Sequence, residues 1–329
     1  GREKMMKLSI MRDFLESDES EFLVHSLLEN WGFEKDSVQF LRASSNFVFV
    51  FERNGEKYIL RITPNGDRNK LMEEVTFLSF LSMNEVSVNR PERSKKGNMV
   101  EETKNDVGVF QAVVFRFLSG AQYEIEELSE RQLYLWGEAL GNLHNCSKQF
   151  IKKSSSRNDY VQQLTDLENF LPESESSARR ELETLKTWFM TFDINEANYG
   201  IIHFDFELDN LIWDGDNVQM IDFESSMEHW YTADIAFALR DLFNGDVDFS
   251  NNSFQLFLEG YRSKMHVTDK EINAIPMFLR FHDLITFADL LRTVDVENDL
   301  NNPQWTIALC NKLESKIDDY RDGFKRREK

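Results

Sequence analysis

The chain switches between two hydrophobic periods. Residues 18–31, "DESEFLVHSLLENW", carry apolar side chains at helical spacing behind an Asp/Ser start, and Gly32 closes the segment. Residues 44–63, "SSNFVFVFERNGEKYILRIT", turn to strand character on both sides of Asn54-Gly55, a dipeptide suited to a two-residue hairpin turn because both central positions need positive φ. After Pro64, "RNKLMEEVTFLSFLSMN" at 68–84 sets Leu71, Val75, Leu78 and Leu81 on one helical face. A polar stretch at 89–106 and the apolar run "VGVFQAVVFRFLSG" at 107–120 predict further buried strands around a loop. The first third thus reads as a small sheet carrying one helix.

Beyond it the period is mostly helical, with helices predicted over 129–150, 158–170, 177–192, 232–244, 251–262, 269–294 and 303–326. The exception lies in 201–224, "IIHFDFELDNLIWDGDNVQMIDFE", where "NLIW" and "VQMIDFE" flank "DGDN" and predict a short β-hairpin in helical surroundings. Self-similarity at a period of roughly 20–50 residues is absent. The expected fold is α+β, with a β-rich lobe over residues 1–118 and a larger helical lobe over 119–329.

Composition agrees with this picture and narrows the partners. At 329 residues, with 41% hydrophobic positions and 28 Phe, the chain can bury a sizeable core; 14 Gly and 5 Pro are too few for an all-β protein of many tight turns. The formal charge of -20, from 58 acidic and 38 basic residues, disfavours nucleic acid phosphate and anionic membranes and favours neutral or cationic partners. Cys146 and Cys310 lack the spacing of a disulfide framework or a zinc site and fit a reducing cytoplasm. No run reaches the roughly 20 apolar residues of a membrane span, so a soluble, cytoplasmic protein is expected.

The hairpin sorts the acids of 201–224. With Asp214 to Asn217 as its loop, Trp213 faces Val218 and, counting outward, Asn210 lies opposite Ile221, next to Asp222. An amide oxygen and a carboxylate brought together at a strand end are hard ligands suited to Mg²⁺, which takes one or two protein carboxylates and completes its shell with water and substrate phosphates. Upstream, His203, Asp205 and Asn210 fit H-x-D-x-x-x-x-N, the spacing of a kinase catalytic loop, followed by Asp222-Phe223 at the place of the metal-binding Asp-Phe pair. Phosphoryl transfer needs a carboxylate to orient the accepting hydroxyl, a role for Asp205, and a cation on the phosphates, held by Asn210 and Asp222. His203 is expected to brace the loop.

These residues resemble the aminoglycoside phosphotransferase and choline kinase group, small-molecule kinases with a protein-kinase-like fold, over roughly residues 20–295. The resemblance implies a two-lobed fold. It also implies transfer of the γ-phosphate of ATP or GTP, with Mg²⁺, to a hydroxyl of a small acceptor. Ser44, Ser45 and Asn46 match the turn that covers the phosphates, Arg61 the residue on the α- and β-phosphates, and Glu74 its helix partner. "VVFRFLSG" resembles the linker against the nucleotide base, which brings in Arg116, Phe117 and Leu118; Asp234 in "TADIAFAL" matches a brace of the catalytic loop. The chain departs from the group where Ala43 and Ser44 replace turn glycines and where Phe204, Phe206 and Glu207 replace the glycine, leucine and second histidine of H-G-D-L-H-x-x-N. Glu207, Asp209 and Glu224 read either as solvated charges or as a candidate acidic rim for an amine-bearing acceptor such as an aminoglycoside, amino alcohol or amino sugar. Competing readings are a catalytically retired nucleotide-binding scaffold and a protein kinase; the missing A-P-E segment after Asp222 speaks against the latter.

Overall fold

In this computed structural model, which describes residues 5–150, 158–243, 246–297 and 299–329, alternation along the N-terminal strands builds a sheet with two apolar faces. Two helices, α1 (Leu8–Leu15) and α2 (Ser20–Leu28), precede β1 (Gln39–Ala43), β2 (Phe47–Arg53) and β3 (Glu56–Pro64). Helix α3 (Arg68–Met83) follows, capped by the Asp67 carboxylate on the Asn69 N–H, and then β4 (Pro91–Glu92), β5 (Glu101–Lys104) and β6 (Val109–Arg116). The strands pair antiparallel in the order β1-β2-β3-β6-β4, with β5 on the other half of the same β6 edge. Asn54 and Gly55 both take positive φ (53° and 78°), as the hairpin turn requires.

Successive side chains of a strand point to opposite faces. Phe47, Phe49 and Phe51 with Tyr58, Leu60 and Ile62 cover one face and pack against α1 and α2, while Val113 and Phe115 face α3 on the other. Leu71, Val75, Leu78 and Leu81 are all buried there. Helix α1 was not expected from the charge-mixed N-terminus, yet Leu8, Met11 and Phe14 recur on one side of it and Phe14 stacks on Phe47 at 3.8 Å.

The helical part contains α4 (Glu130–Ser147), α5 (Tyr160–Phe170) and α6 (Ser176–Phe189), then β7 (Tyr199–Ile202), β8 (Leu211–Asp214), β9 (Asn217–Met220) and β10 (Met227–Trp230). It ends with α7 (Tyr231–Ala238), α8 (Asn252–Arg262), the short α9 (Asp269–Ile272), α10 (Ile275–Thr293) and α11 (Gln304–Arg327). The helix expected over 269–294 is therefore two, because Pro276 sits in the first turn of α10, where its missing N–H costs no intrahelical bond. The helix expected over 232–244 stops at Ala238 and continues as a single 3₁₀ turn, Arg240–Leu242; its last residue lies outside the described residues. Pairing of β7 with β10 was not foreseen, since no tight turn joins two four-residue strands so far apart in the chain. Among the described residues no helix is long and apolar enough to cross a membrane.

One crossing positions much of the rest. A Cβ on Gly137 would lie 1.8 Å from the Phe257 carbonyl oxygen, and one on Gly260 would lie 1.9 Å from that of Tyr134, so α4 and α8 meet backbone to backbone. That contact places His144 of α4 within 2.7 Å of the Tyr261 hydroxyl of α8. Gly137→Ala is expected to lower stability by about 1–3 kcal/mol through overpacking against main chain, measured as a shift of the urea midpoint; an unshifted midpoint would show that the helices can separate without cost.

Candidate active site

The hairpin β8–β9 forms in the register expected from its Asp-Gly turn. Trp213 pairs with Val218 and Leu211 with Met220, and the Ile221 N–H donates to the Asn210 carbonyl at 2.9 Å, so Asn210 and Asp222 come together at its open end. The hairpin is held from two sides. Ala121 and Trp213 exchange backbone hydrogen bonds of 2.8 and 2.7 Å, and Met220 bonds the 87–89 segment through Ser87 and Asn89.

The loop 203–210 hangs from one buried carboxylate. Asp234, at the start of α7, accepts the N–H groups of His203 and Phe204, each at 2.9 Å, and contacts His144 Nε2 at 2.8 Å. His203 is fully buried, takes the Asp205 N–H on Nδ1 at 3.2 Å, and therefore carries its proton on Nε2, which donates to the Ile221 carbonyl at 2.8 Å. Burial pushes its pKa down against the opposing pull of Asp234 and Asp205. Both ring nitrogens are thus occupied by backbone, and the ring ties the loop to the strand that leads to Asp222. Phe204, in place of a glycine, has φ of 77°; its ring packs on Phe237 at 4.8 Å.

Asp205 is 6% exposed and its Oδ1 is buried without a hydrogen-bond partner among the described residues. Asn210 donates its amide to the Asp205 carbonyl at 2.8 Å. Asp222 has φ of 62°, a left-handed conformation that Asp tolerates better than most residues. Burial, then the nearby Glu224 and Asp205 carboxylates, push its pKa up to about 7 against the attraction of Arg61.

On the sheet, Arg61 and Glu74 form a buried two-pronged pair, both N···O distances 2.7 Å, with the guanidinium over the Phe115 ring at 5.1 Å. Burial opposes the arginine charge, but Glu74, with Glu224 and Asp222 behind it, outweighs this and its pKa rises. The turn 44–46 is pinned at its end: Asn46 accepts the Thr63 hydroxyl at 2.8 Å and donates to Glu224 at 2.5 Å, and Ser45 donates to Glu224 at 3.0 Å. Between turn, sheet and hairpin runs a cleft of about 290 Å³ whose lining includes Ser44, Ser45, Asn46, Arg61, Arg116, Phe117, Leu118 and Asp222. Part of the Asp222 surface opens into it.

The three acids expected at a rim separate. Asp209 is exposed, Glu224 is engaged by the turn, and Glu207 is held by Arg240 at 2.6 Å in a pair that is mostly buried. Burial raises the pKa of Glu207, with Arg240 opposing. Arg240, Thr63 and Tyr261 take part in this site without having been singled out, because nothing in their local sequence marks their distant partners. Trp230 and Tyr231 are core residues, Trp230 lying parallel to Phe189 at 5.3 Å.

The donor set suits a hard divalent cation accompanied by phosphate. Asn210 and Asp222 converge, Asp205 presents an unpartnered carboxylate oxygen, and no group of three or more His, Cys, Asp or Glu is assembled as a self-sufficient metal cage among the described residues.

Comparison with known proteins follows the same line. A family model described as phosphotransferase enzyme family matches residues 37–267. The chain is 23% identical over 303 residues to amicoumacin kinase of Bacillus subtilis (strain 168), covering 88% of this chain and 90% of that one. Its fold superposes with a TM-score of 0.77 and 23% identity on the amicoumacin kinase hAmiN solved with AMP-PNP, Ca²⁺ and Ami, covering 92% and 94% of the two chains. A microcompartment-associated aminopropanol kinase matches with a TM-score of 0.71 at 18% identity, over 93% and 96%.

Asp234→Ala would leave two buried N–H groups without an acceptor. It is expected to cost about 3 kcal/mol or more of stability, read from chemical denaturation; a loss below about 1 kcal/mol would mean that the loop does not depend on this carboxylate.

Proposed function

The chain belongs to the phosphotransferase enzyme family, and from that premise we propose that it moves the γ-phosphate of ATP, or of GTP in the same seat, to a hydroxyl of a small amine-bearing molecule. The observation that carries this is that Asp222 lines the same cleft as Arg61 and the 44–46 turn, while the hairpin register sets Asn210 beside it and Asn210 bonds the Asp205 carbonyl. Amine-bearing acceptors are favoured by the acidity of the chain and by relatives described as amicoumacin and aminopropanol kinases.

In this reading residues up to about 118 seat the nucleotide and the remainder brings the acceptor. The base lies against Phe117 and Leu118 of the linker. Arg61, kept in place by Glu74, faces the α- and β-phosphates, and the backbone and hydroxyls of Ser44 and Ser45 cover them. Asn210 and Asp222 would hold a divalent cation, Mg²⁺, which would offset charge on the β- and γ-phosphates. Asp205 accepts the hydrogen bond of the incoming hydroxyl and takes its proton. As the new O–P bond forms, the bond from γ-phosphorus to the bridging oxygen breaks and the nucleoside diphosphate leaves with that electron pair. His203 positions the loop and moves no proton, since both its nitrogens already serve backbone groups. Asn46 and Glu224 keep the covering turn close to the Asp222 strand end.

Asp205→Ala is expected to reduce acceptor-dependent ATP consumption by about 10²–10⁴-fold while nucleotide affinity stays near wild type. Asp222→Ala is expected to weaken Mg²⁺-dependent nucleotide binding as well, measured by calorimetry with and without the metal. Retention of most of the turnover in Asp205→Ala would remove the role assigned to it. A screen of amines, amino alcohols and sugars, with ATP and GTP each offered, finds the acceptor.

A further inference from the structure

A second cleft, of about 460 Å³, is walled by α5 and α10 with Met227 between them. Its place relative to the transfer site follows from the chain. Met227 pairs in β10 with Ile202, the residue before His203. On α10, His282 lies beside the Phe204 ring, 6.3 Å between centroids, one turn before Ile285 of the cleft. Just past Arg292 of the cleft, Thr293 donates to the Met5 carbonyl, and the neighbouring Met6 N–H bonds the Ser44 carbonyl of the covering turn. The cleft therefore lies along α10 between the catalytic loop and the phosphate turn.

Its chemistry is two-signed. Asp289 and Arg292 pair across one helical turn at 3.3 Å, and the guanidinium lies over Phe170 at 3.9 Å from the ring centroid. Stacking and pairing fix the orientation of Arg292 and leave donors of its planar fork for a second oxygen pair. Asp166 of α5 adds another carboxylate, and Gln163 brings a buried Oε1 that has no hydrogen-bond partner among the described residues and calls for a donor. Met227 and Ile285 supply apolar contact beside these groups.

We infer that this cleft seats the acceptor and selects a zwitterionic amino alcohol, its ammonium on Asp289, Asp166 and the Gln163 oxygen and its carboxylate on Arg292. This rests on the phosphotransfer reading above and narrows its acceptor class. A polycation would meet the fixed guanidinium with like charge, whereas a zwitterion satisfies both signs at once. The space left over accommodates an apolar substituent against Met227 and Ile285.

The test uses the whole protein, ATP and Mg²⁺, with L-homoserine, 3-aminopropan-1-ol and 4-hydroxybutanoate as probes; the second and third are the first without its carboxylate and without its amine. The expected kcat/KM for homoserine exceeds that for either deletion by roughly tenfold or more, expressed mainly in KM. In Arg292→Gln the preference over 3-aminopropan-1-ol collapses to within about threefold, and in Asp289→Asn the preference over 4-hydroxybutanoate does the same. Thermal unfolding near the wild-type midpoint in both variants, with unchanged nucleotide affinity, assigns the effect to the acceptor. Equal use of homoserine and 3-aminopropan-1-ol by the wild type, or an equal loss on every probe in Arg292→Gln, overturns the inference. Turnover of an acceptor without a carboxylate, insensitive to both substitutions, overturns it while leaving the phosphotransfer reading intact. If nucleotide binds but no probe and no other hydroxyl compound is phosphorylated, the phosphotransfer reading fails and the inference falls with it.

Discussion

A single buried carboxylate, Asp234, decides where the loop 203–210 can sit. Its oxygens take the N–H groups of His203 and Phe204 and meet His144, all in a setting without exposed surface. A buried acceptor and two buried donors are costly apart and stable together, so the loop has one strongly preferred position. That position also supports a strained residue. Phe204 is a non-glycine at φ of 77°, a conformation that costs on the order of 1–3 kcal/mol; the two bonds to Asp234 and the packing of its ring on Phe237 offset it. Behind this stands the glycine-lined crossing of α4 and α8, which fixes His144 and Tyr261.

Electrostatics take over where the loop meets the sheet. Asp222, Glu224 and Glu74 gather near one guanidinium, Arg61, itself already matched by Glu74, and Asp205 adds its charge to Asp222. The raised pKa of Asp222 expresses its burial first and that excess of negative charge second. On the proposed reading a divalent cation arriving with nucleotide phosphates is the counter-charge for which the residues are arranged, and Arg61 is spared competition because Glu74 orients it from behind. The hydrogen bonds from Ser45 and Asn46 to Glu224 couple the covering turn to the same cluster, so sheet and loop share one electrostatic centre.

Much of this was legible because it is local. Asn54-Gly55 and Asp214-Gly215 each announce a hairpin with a definite register, and counting outward from the second correctly set Asn210 opposite Ile221. The Arg61–Glu74 contact was legible through resemblance, not through any periodicity. What stayed hidden depends on distant partners. Helix α1 reads as polar until Phe14 is seen against Phe47, β7 finds β10 without a turn to announce it, and Glu207 looked solvated until Arg240 reached it. Pairing energies of this kind are set by tertiary geometry and leave no mark within a short window.

Helix α10 shows the limit most sharply. At Phe281 and His282 it is buried in the core, and Asp283 is tied to Arg327 of α11. The positions that line a cleft are Ile285, Asp289 and Arg292, on the same helix. The reason is that α10 is apolar on nearly all sides, so periodicity alone assigns it no outward face. Which turns become available is decided by where α6, α7 and α11 stop covering it. What such a helix offers to a ligand is thus set less by which charged residues it carries than by which of its turns the neighbouring helices leave uncovered.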